Sequence, residues 1–189
     1  QSGYYVSMLG TGFDGNANKI VISEADEELY NRVGSAEKFA AVKSGICEEK
    51  KVNGTNQIVL KDTNSVCIYT AADLKATANS TATKILMNDI VVTSSMGALK
   101  GGLEGNGHTI TSSYNGYIFS SVAGTIKNLN VNFNNAGNGF ASEVSNTTSV
   151  ENVNLTGNIN ATDQTNVSGL FGKCITKNIT INNVSSDIN

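Results

Sequence analysis

The sequence predicts a mainly β protein: a parallel β-solenoid, in which short strands stack coil on coil, preceded by a small α+β part. Three observations carry this. A five-residue phrase occurs as Lys127-Asn128-Leu129-Asn130-Val131, Glu151-Asn152-Val153-Asn154-Leu155 and Lys177-Asn178-Ile179-Thr180-Ile181, with copies 24 and 26 residues apart. That spacing is about one solenoid coil. A turn dipeptide with a short apolar piece precedes each copy: Asn115-Gly116 before Phe119, Asn138-Gly139 before Phe140, Ser168-Gly169 before Phe171. Each coil therefore has at least two strands. Finally, Asn, Thr, Ser and Gly abound, while Pro and Trp are absent and only 15% of residues are charged. Such a mix suits polar uncharged faces joined by tight turns. A run of antiparallel hairpins with Gly turns is the alternative arrangement.

Residues 1–65 make the α+β part. Tyr4 to Leu9 and Lys19 to Ile22 are strand-like. Between them Asp14, Asn16 and Asn18 set oxygen ligands at alternate positions, as a calcium loop begins. Lys19 then stands where that motif needs Gly, and Ala25 where it needs a bidentate Glu. A plain polar turn is the simpler account of the calcium candidate. Ser23 to about Lys43 reads as helical. Ser23 and Asp26 form a capping box, and Leu29, Val33, Ala36 and Ala40 make one apolar face. Gly34-Ser35 is a point where the helix splits. Glu24, Asp26, Glu27 and Glu28 crowd the first turn, where the helix dipole favours negative charge.

Cys47 and Cys67 flank a polar loop with a short strand at Gln57 to Leu60. As a disulfide they would contribute about 3 kcal/mol and imply an oxidising compartment. The alternative is two buried thiols. Cys174 is left over and is expected as a small core residue, with intermolecular pairing as the sharper reading.

Residues 66–189 make the solenoid. Val66 to Tyr69 leads into Thr70-Ala71-Ala72-Asp73, a second capping box opening a helix through about Ala78. Lys84 to Val92 is a strand, with a turn near Ser94 to Leu99. In the repeats, apolar residues alternate with polar ones, the period of a strand with one buried face. Leu129, Val153 and Ile179 form one inner column, and Val131, Leu155 and Ile181 a second. Asn128, Asn152 and Asn178 fall at a corner, where Asn tolerates the left-handed region. Stacked amides there can form a hydrogen-bonded ladder.

The order of these pieces resembles a known family. "AADLKA", a strand ending "NDIVV", "LEGNGHTI", "GTIKNLNVN" and "SVENVNLTGNI" are similar to the right-handed parallel β-helices of secreted bacterial surface proteins. Those proteins carry GLUG-type repeats, have a pectin-lyase-like fold and occur beside IgA-protease metalloproteinases. The resemblance covers roughly residues 66–189. The family pattern usually has "DGNGHTI", and here Glu104 replaces the Asp. In these terms Gly105, Asn106 and Gly107 make a tight turn between coils. His108 is then a turn or corner residue bonded to a neighbouring coil. The resemblance implies an extracellular, cell-surface location.

The formal charge of −3 leaves no electrostatic footprint for nucleic acid or anionic membrane. No apolar run reaches the ~20 residues of a membrane helix. No signal peptide is visible and the chain begins at Gln1, so it reads as processed or as a piece of a longer protein. Asn-x-Ser/Thr triplets begin at Asn53, Asn79, Asn146, Asn154, Asn160, Asn166, Asn178 and Asn183. They permit glycosylation, although a chain this rich in Asn, Ser and Thr generates many by chance.

Pectin-lyase-like folds include glycoside hydrolases and polysaccharide lyases. A hydrolase needs two carboxylates about 5–9 Å apart. From Gly101 onward the acids are Glu104, Glu143, Glu151, Asp163 and Asp187, and none recurs at the coil spacing. No lyase-type acidic cluster, His/Cys metal spacing, Ser nucleophile motif or phosphate loop is present. The expectation is a non-catalytic surface module, structural or adhesive, without a cofactor. Its partners would be further copies, other surface proteins or glycans, with Tyr114 and Tyr117 available to stack on sugars. Because an uncovered last coil exposes backbone groups, assembly into a filament or surface layer is expected. The alternatives are a carbohydrate-active enzyme and an accessory domain of a larger surface protease.

Overall fold

A computed structural model of the chain describes residues 24–61, 63–161, 166–176 and 178–189. The calcium candidates Asp14, Asn16 and Asn18, the two N-terminal strand-like pieces and the Ser23 cap lie outside these residues. Contacts divide the chain into two compact units, Gln1–Glu48 and Glu49–Asn189.

In the first unit, helix α1 (Glu24–Val33) and helix α2 (Ala36–Lys43) are separated at Gly34, whose φ of +76° ends α1. Ser35 caps α2, its side chain accepting from the Lys38 N–H at 3.2 Å. Phe39 is buried and meets Tyr30 edge-on at 5.8 Å between ring centroids. Asp26 holds Lys43 at 2.7 Å, which ties the start of α1 to the end of α2.

The second unit is mainly β, a curled and largely parallel sheet. Strand β1 (Cys47–Val52) straddles the boundary between units and joins β2 (Thr55–Leu60) through Asn53 and Gly54. Both turn residues have positive φ, +51° and +80°, as a two-residue hairpin requires. Four charges among the six residues of β1 hide this strand in the sequence, where it reads as loop. β2 pairs antiparallel with β3 (Ser65–Ile68) through Val59 and Val66. The expected Cys47–Cys67 disulfide is a correction: both cysteines are buried thiols. In the sheet order β2 lies between β1 and β3. Two strand spacings, about 9.6 Å, exceed the Cα separation a disulfide spans.

Helix α3 (Ala71–Thr77) starts at the capping box: the Thr70 side chain accepts from Asp73 N–H, and Asp73 accepts from Thr70 N–H. After it come five short strands, β4 (Thr83–Leu86), β5 (Ile90–Val92), β6 (Ala98–Leu99), β7 (Leu103–Glu104) and β8 (Thr109–Ser112). The single strand expected over 84–92 is thus two. The long β9 (Ser121–Ala136) then pairs in succession, all parallel, with β6, β7 and β8. It bends between these partners at Gly124 (φ +93°) and Asn128 (φ +52°). A Cβ on Gly124 would sit 2.8 Å from the Gly102 backbone nitrogen, so the bend also needs a bare backbone.

β10 (Ala141–Ile159) lies parallel on β9, and β11 (Phe171–Cys174) and β12 (Ile179–Ile188) both lie parallel on β10. Val153 falls opposite Leu129, and Leu155 opposite Val131; all four are buried. Phe119 and Phe140 are buried and meet edge-on at 5.1 Å. Each such side chain contributes about 1.5–3 kcal/mol.

The third copy of the phrase is displaced from its expected register. Ile179 pairs with Thr148 and Ile181 with Val150, so neither falls in the column expected for it. The residues that lie on Val153, Asn154 and Leu155 are Val184, Ser185 and Ser186. The cause is the corner. Asn183, with φ +50°, takes the left-handed position against Asn152. Strand alternation is equally good in both frames, so only this backbone requirement separates them.

Candidate functional site

The displaced register builds a column of polar side chains running from Glu104 to Asn183. Asn128, Asn152 and Asn183 all adopt left-handed φ, at +52°, +53° and +50°. The Asn152 amide donates to Asn128 Oδ1 at 3.1 Å, and the Asn183 amide to Asn152 Oδ1 at 2.8 Å. Asn128 in turn donates to the Glu104 carboxylate at 3.1 and 3.3 Å. Glu104 also accepts from the Asn106 N–H at 2.8 Å and holds Lys127 at 3.3 Å. The carboxylate therefore terminates the ladder, since it accepts and cannot donate. A parallel tie beside the column joins Ser185 to Asn154 at 2.7 Å.

Every ladder bond points toward Glu104, so the far end is unsaturated. Asn183 keeps its Oδ1 and one amide N–H without a hydrogen-bond partner among the described residues. It sits on β12, which has one strand neighbour among the described residues, β10. Among the same residues β11 likewise pairs only β10. Of the exposed large apolar residues among those described, Ile46, Val91, Val167, Ile175 and Ile181, three belong to the segment 167–181 around these strands. Phe171, Ile179, Val184 and Ile188 are only partly buried against the core. Across its ten residues β12 carries one charge, Asp187. Among the described residues it is an edge strand, with little of the charge that normally discourages strand addition.

The remaining candidates are local ties. His108 Nδ1 lies 3.1 Å from Asp89 Oδ1, and Asp89 also accepts from the Thr109 N–H at 2.8 Å. The Thr109 bond, then the His108 bond, lowers the Asp89 pKa. Both side chains are solvated, and they pin the turn after β7 to the segment between β4 and β5. Lys84 was not foreseen. Its side chain is buried, and Nζ donates to the Ser80 carbonyl at 2.6 Å and to the Lys100 carbonyl. Burial pushes its pKa down to about 8.

Asn178, expected in the corner column, is exposed outside it, and its N–H is taken by Thr176 Oγ1 at 3.2 Å. Cys174, expected in the core, is exposed on β11. All eight glycosylation candidates are exposed. Of these, Asn154 and Asn183 already spend side-chain groups on inter-strand bonds. Tyr114 and Tyr117 are half-buried, and the Tyr117 hydroxyl donates to the Asn166 carbonyl at 2.9 Å. Among the described residues no three His, Cys, Asp or Glu gather as a metal site, and no helix is long and apolar enough to cross a membrane. Comparison with family models, curated proteins and solved structures returned no match.

Proposed function

We propose that the chain is a non-catalytic, extracellular structural module: a right-handed parallel β-helix that acts through its strand edge and polar faces. The successive pairing of β9 with three short strands, with bends between them, supports a coil with three sides. The observation that carries the functional reading is the edge at β12, which among the described residues has one strand neighbour and carries one charge in ten residues. Such an edge offers backbone donors and acceptors to another strand, which is how β-augmentation works. The Asn, Ser and Thr ties on the outside serve cohesion between coils rather than chemistry. In the GLUG-type resemblance this is the role of a surface building block.

Hydrogen exchange on dilute protein tests the reading. Outward-facing β12 amides should exchange fast while β10 amides are protected, and polysaccharide substrates should be returned uncut. Protected β12 amides in the dilute protein, or sustained polysaccharide cleavage, would overturn it.

A further inference from the structure

We infer that the cleft between the β1–β2 hairpin and the loop before β4 is a binding site for one acidic sugar residue, a hexuronate. The inference goes beyond the reading of the β12 edge and does not depend on it.

The fold fixes the walls of this cleft. One wall is the end of β1 and its turn, where the Asn53 amide donates to the Ala76 carbonyl at 3.5 Å and ties the hairpin to the end of α3. Another is the turn into β3, where Thr63 Oγ1 donates to the Leu60 carbonyl at 3.1 Å and accepts from the Ser65 N–H at 3.2 Å. The third is the segment from Ser80 to Ala82, held to that turn by the Thr83 N–H on the Asn64 carbonyl at 2.9 Å. Between them the cleft encloses about 240 Å³. Sites for drug-sized ligands run from about 300 to 1,000 Å³, so this space takes a single sugar ring.

Three observations select the chemistry of the ligand. The first is charge. Lys50 and Lys51 line the cleft, and neither has an ion-pair partner among the described residues. No carboxylate among those residues lines it. The Lys84 ammonium adds to the two lysines from behind the wall, through its bond to the Ser80 carbonyl. In a chain of net charge −3 the cleft reverses the sign locally, which favours an anion. The second is unspent hydrogen-bonding capacity. The Asn64 amide, Ser65 Oγ and Thr81 Oγ1 spend no hydrogen bond on another described residue. Ser80 Oγ is buried at the wall without a partner among them. An unpaired buried hydroxyl costs stability, and ligand oxygens at this wall offset that cost. The third is the balance of the lining. Ligand pockets are usually lined mainly by apolar side chains, whereas here the apolar part is a small patch around Val59 and Val66. That patch suits the C–H face of a pyranose ring, and the polar remainder suits its hydroxyls.

Amide NMR of the isotope-labelled full chain reads binding residue by residue. Glucuronate, the neutral methyl glucoside and inorganic phosphate are titrated separately at one ionic strength. Glucuronate should give saturable shifts at Asn64, Ser65, Ser80 and Thr81. The glucoside, which lacks the charge, and phosphate, which lacks the ring, should each bind at least about tenfold more weakly. Lys50→Gln combined with Lys51→Gln should weaken glucuronate at least about tenfold, with circular dichroism confirming the fold. Should that variant not fold, the wild-type chain's affinity for glucuronate reads the same charges, falling as salt is raised. Absent shifts, shifts confined to other residues, glucoside binding as tight as glucuronate, or an affinity indifferent to the lysines and to salt would each overturn the inference. Phosphate binding as tightly as glucuronate would mark a site for an adventitious ion only and would overturn it too. None of these outcomes touches the β12 reading, which amide exchange tests separately.

Discussion

Two of the sheet's edge strands, β1 and β12, manage the same hazard in opposite ways. Among the described residues each has one strand neighbour. β1 carries four charges in six residues, and a two-residue hairpin turns it back along β2. β12 is ten residues long with one charge, and exposed apolar side chains cluster around it. An unpaired strand is a template for another chain, and charge is a common way of blunting it. The contrast teaches that protection is placed where no partner is wanted. The unprotected edge is therefore the informative one.

Breaking the contrast at the protected edge should have the largest effect. Replacing Glu48, Glu49, Lys50 and Lys51 together by Thr leaves β-favouring side chains and removes the charges. With the charges gone the chain should associate more readily, seen as light scattering that rises more steeply with concentration than in the unaltered chain. Should the variant scatter no more, something other than edge charge keeps β1 unpaired.

A second test compares the interior with the open layer. Leu155 is buried between β9 and β12, whereas Ile181 is 55% exposed. Leu155→Ala should cost about 2–5 kcal/mol, as buried leucines do, and Ile181→Ala below about 1 kcal/mol at concentrations where the chain is monomeric. Urea unfolding followed by circular dichroism measures both. Equal losses would mean that β12 is already covered in the monomer.

Lys84 extends the contrast to charge inside the fold. Its pKa is about 10.5 unfolded and about 8 folded. Below pH 8 both states hold the proton, and the cost of burying the ammonium is fully present. Between pH 8 and 10.5 the unfolded state binds more protons, so stability rises with pH, by at most about 3 kcal/mol. The two carbonyl acceptors favour the charged form and reduce that gain. Lys84→Met should flatten the alkaline rise in unfolding free energy, and an unchanged slope would show that Lys84 is not its source.

The amino-acid pattern made some of this legible. Thr70 and Asp73 announce a capping box because its chemistry is local, four residues long and independent of packing. The alternation in 127–131 and 151–155 yields the buried columns because both strands have one inward face. The pattern failed at 177–181, where Ile179 and Ile181 alternate as well as Val184 does and only the left-handed corner at Asn183 decides the register. β1 was hidden because charge on an edge strand looks like charge in a loop. Lys84 looked like the polar start of a strand: its acceptors are the backbone carbonyls of Ser80 and Lys100, and carbonyls leave no trace in side-chain identity.

The smallest effect tests the corner column itself. Asn152 makes two ladder bonds, one donated and one accepted, while Asn183 makes one. Glycine at either position keeps the left-handed backbone accessible, so Asn152→Gly and Asn183→Gly carry a similar entropic cost. The difference between the two unfolding free energies then isolates a single amide bond, about 1 kcal/mol, with Asn152→Gly the less stable. Alanine at Asn152 should lose about 1 kcal/mol more than glycine, because an L side chain is strained at φ +53°. Equal unfolding free energies for the two glycine variants would show that the Asn128–Asn152 bond adds nothing to the tie between β9 and β10.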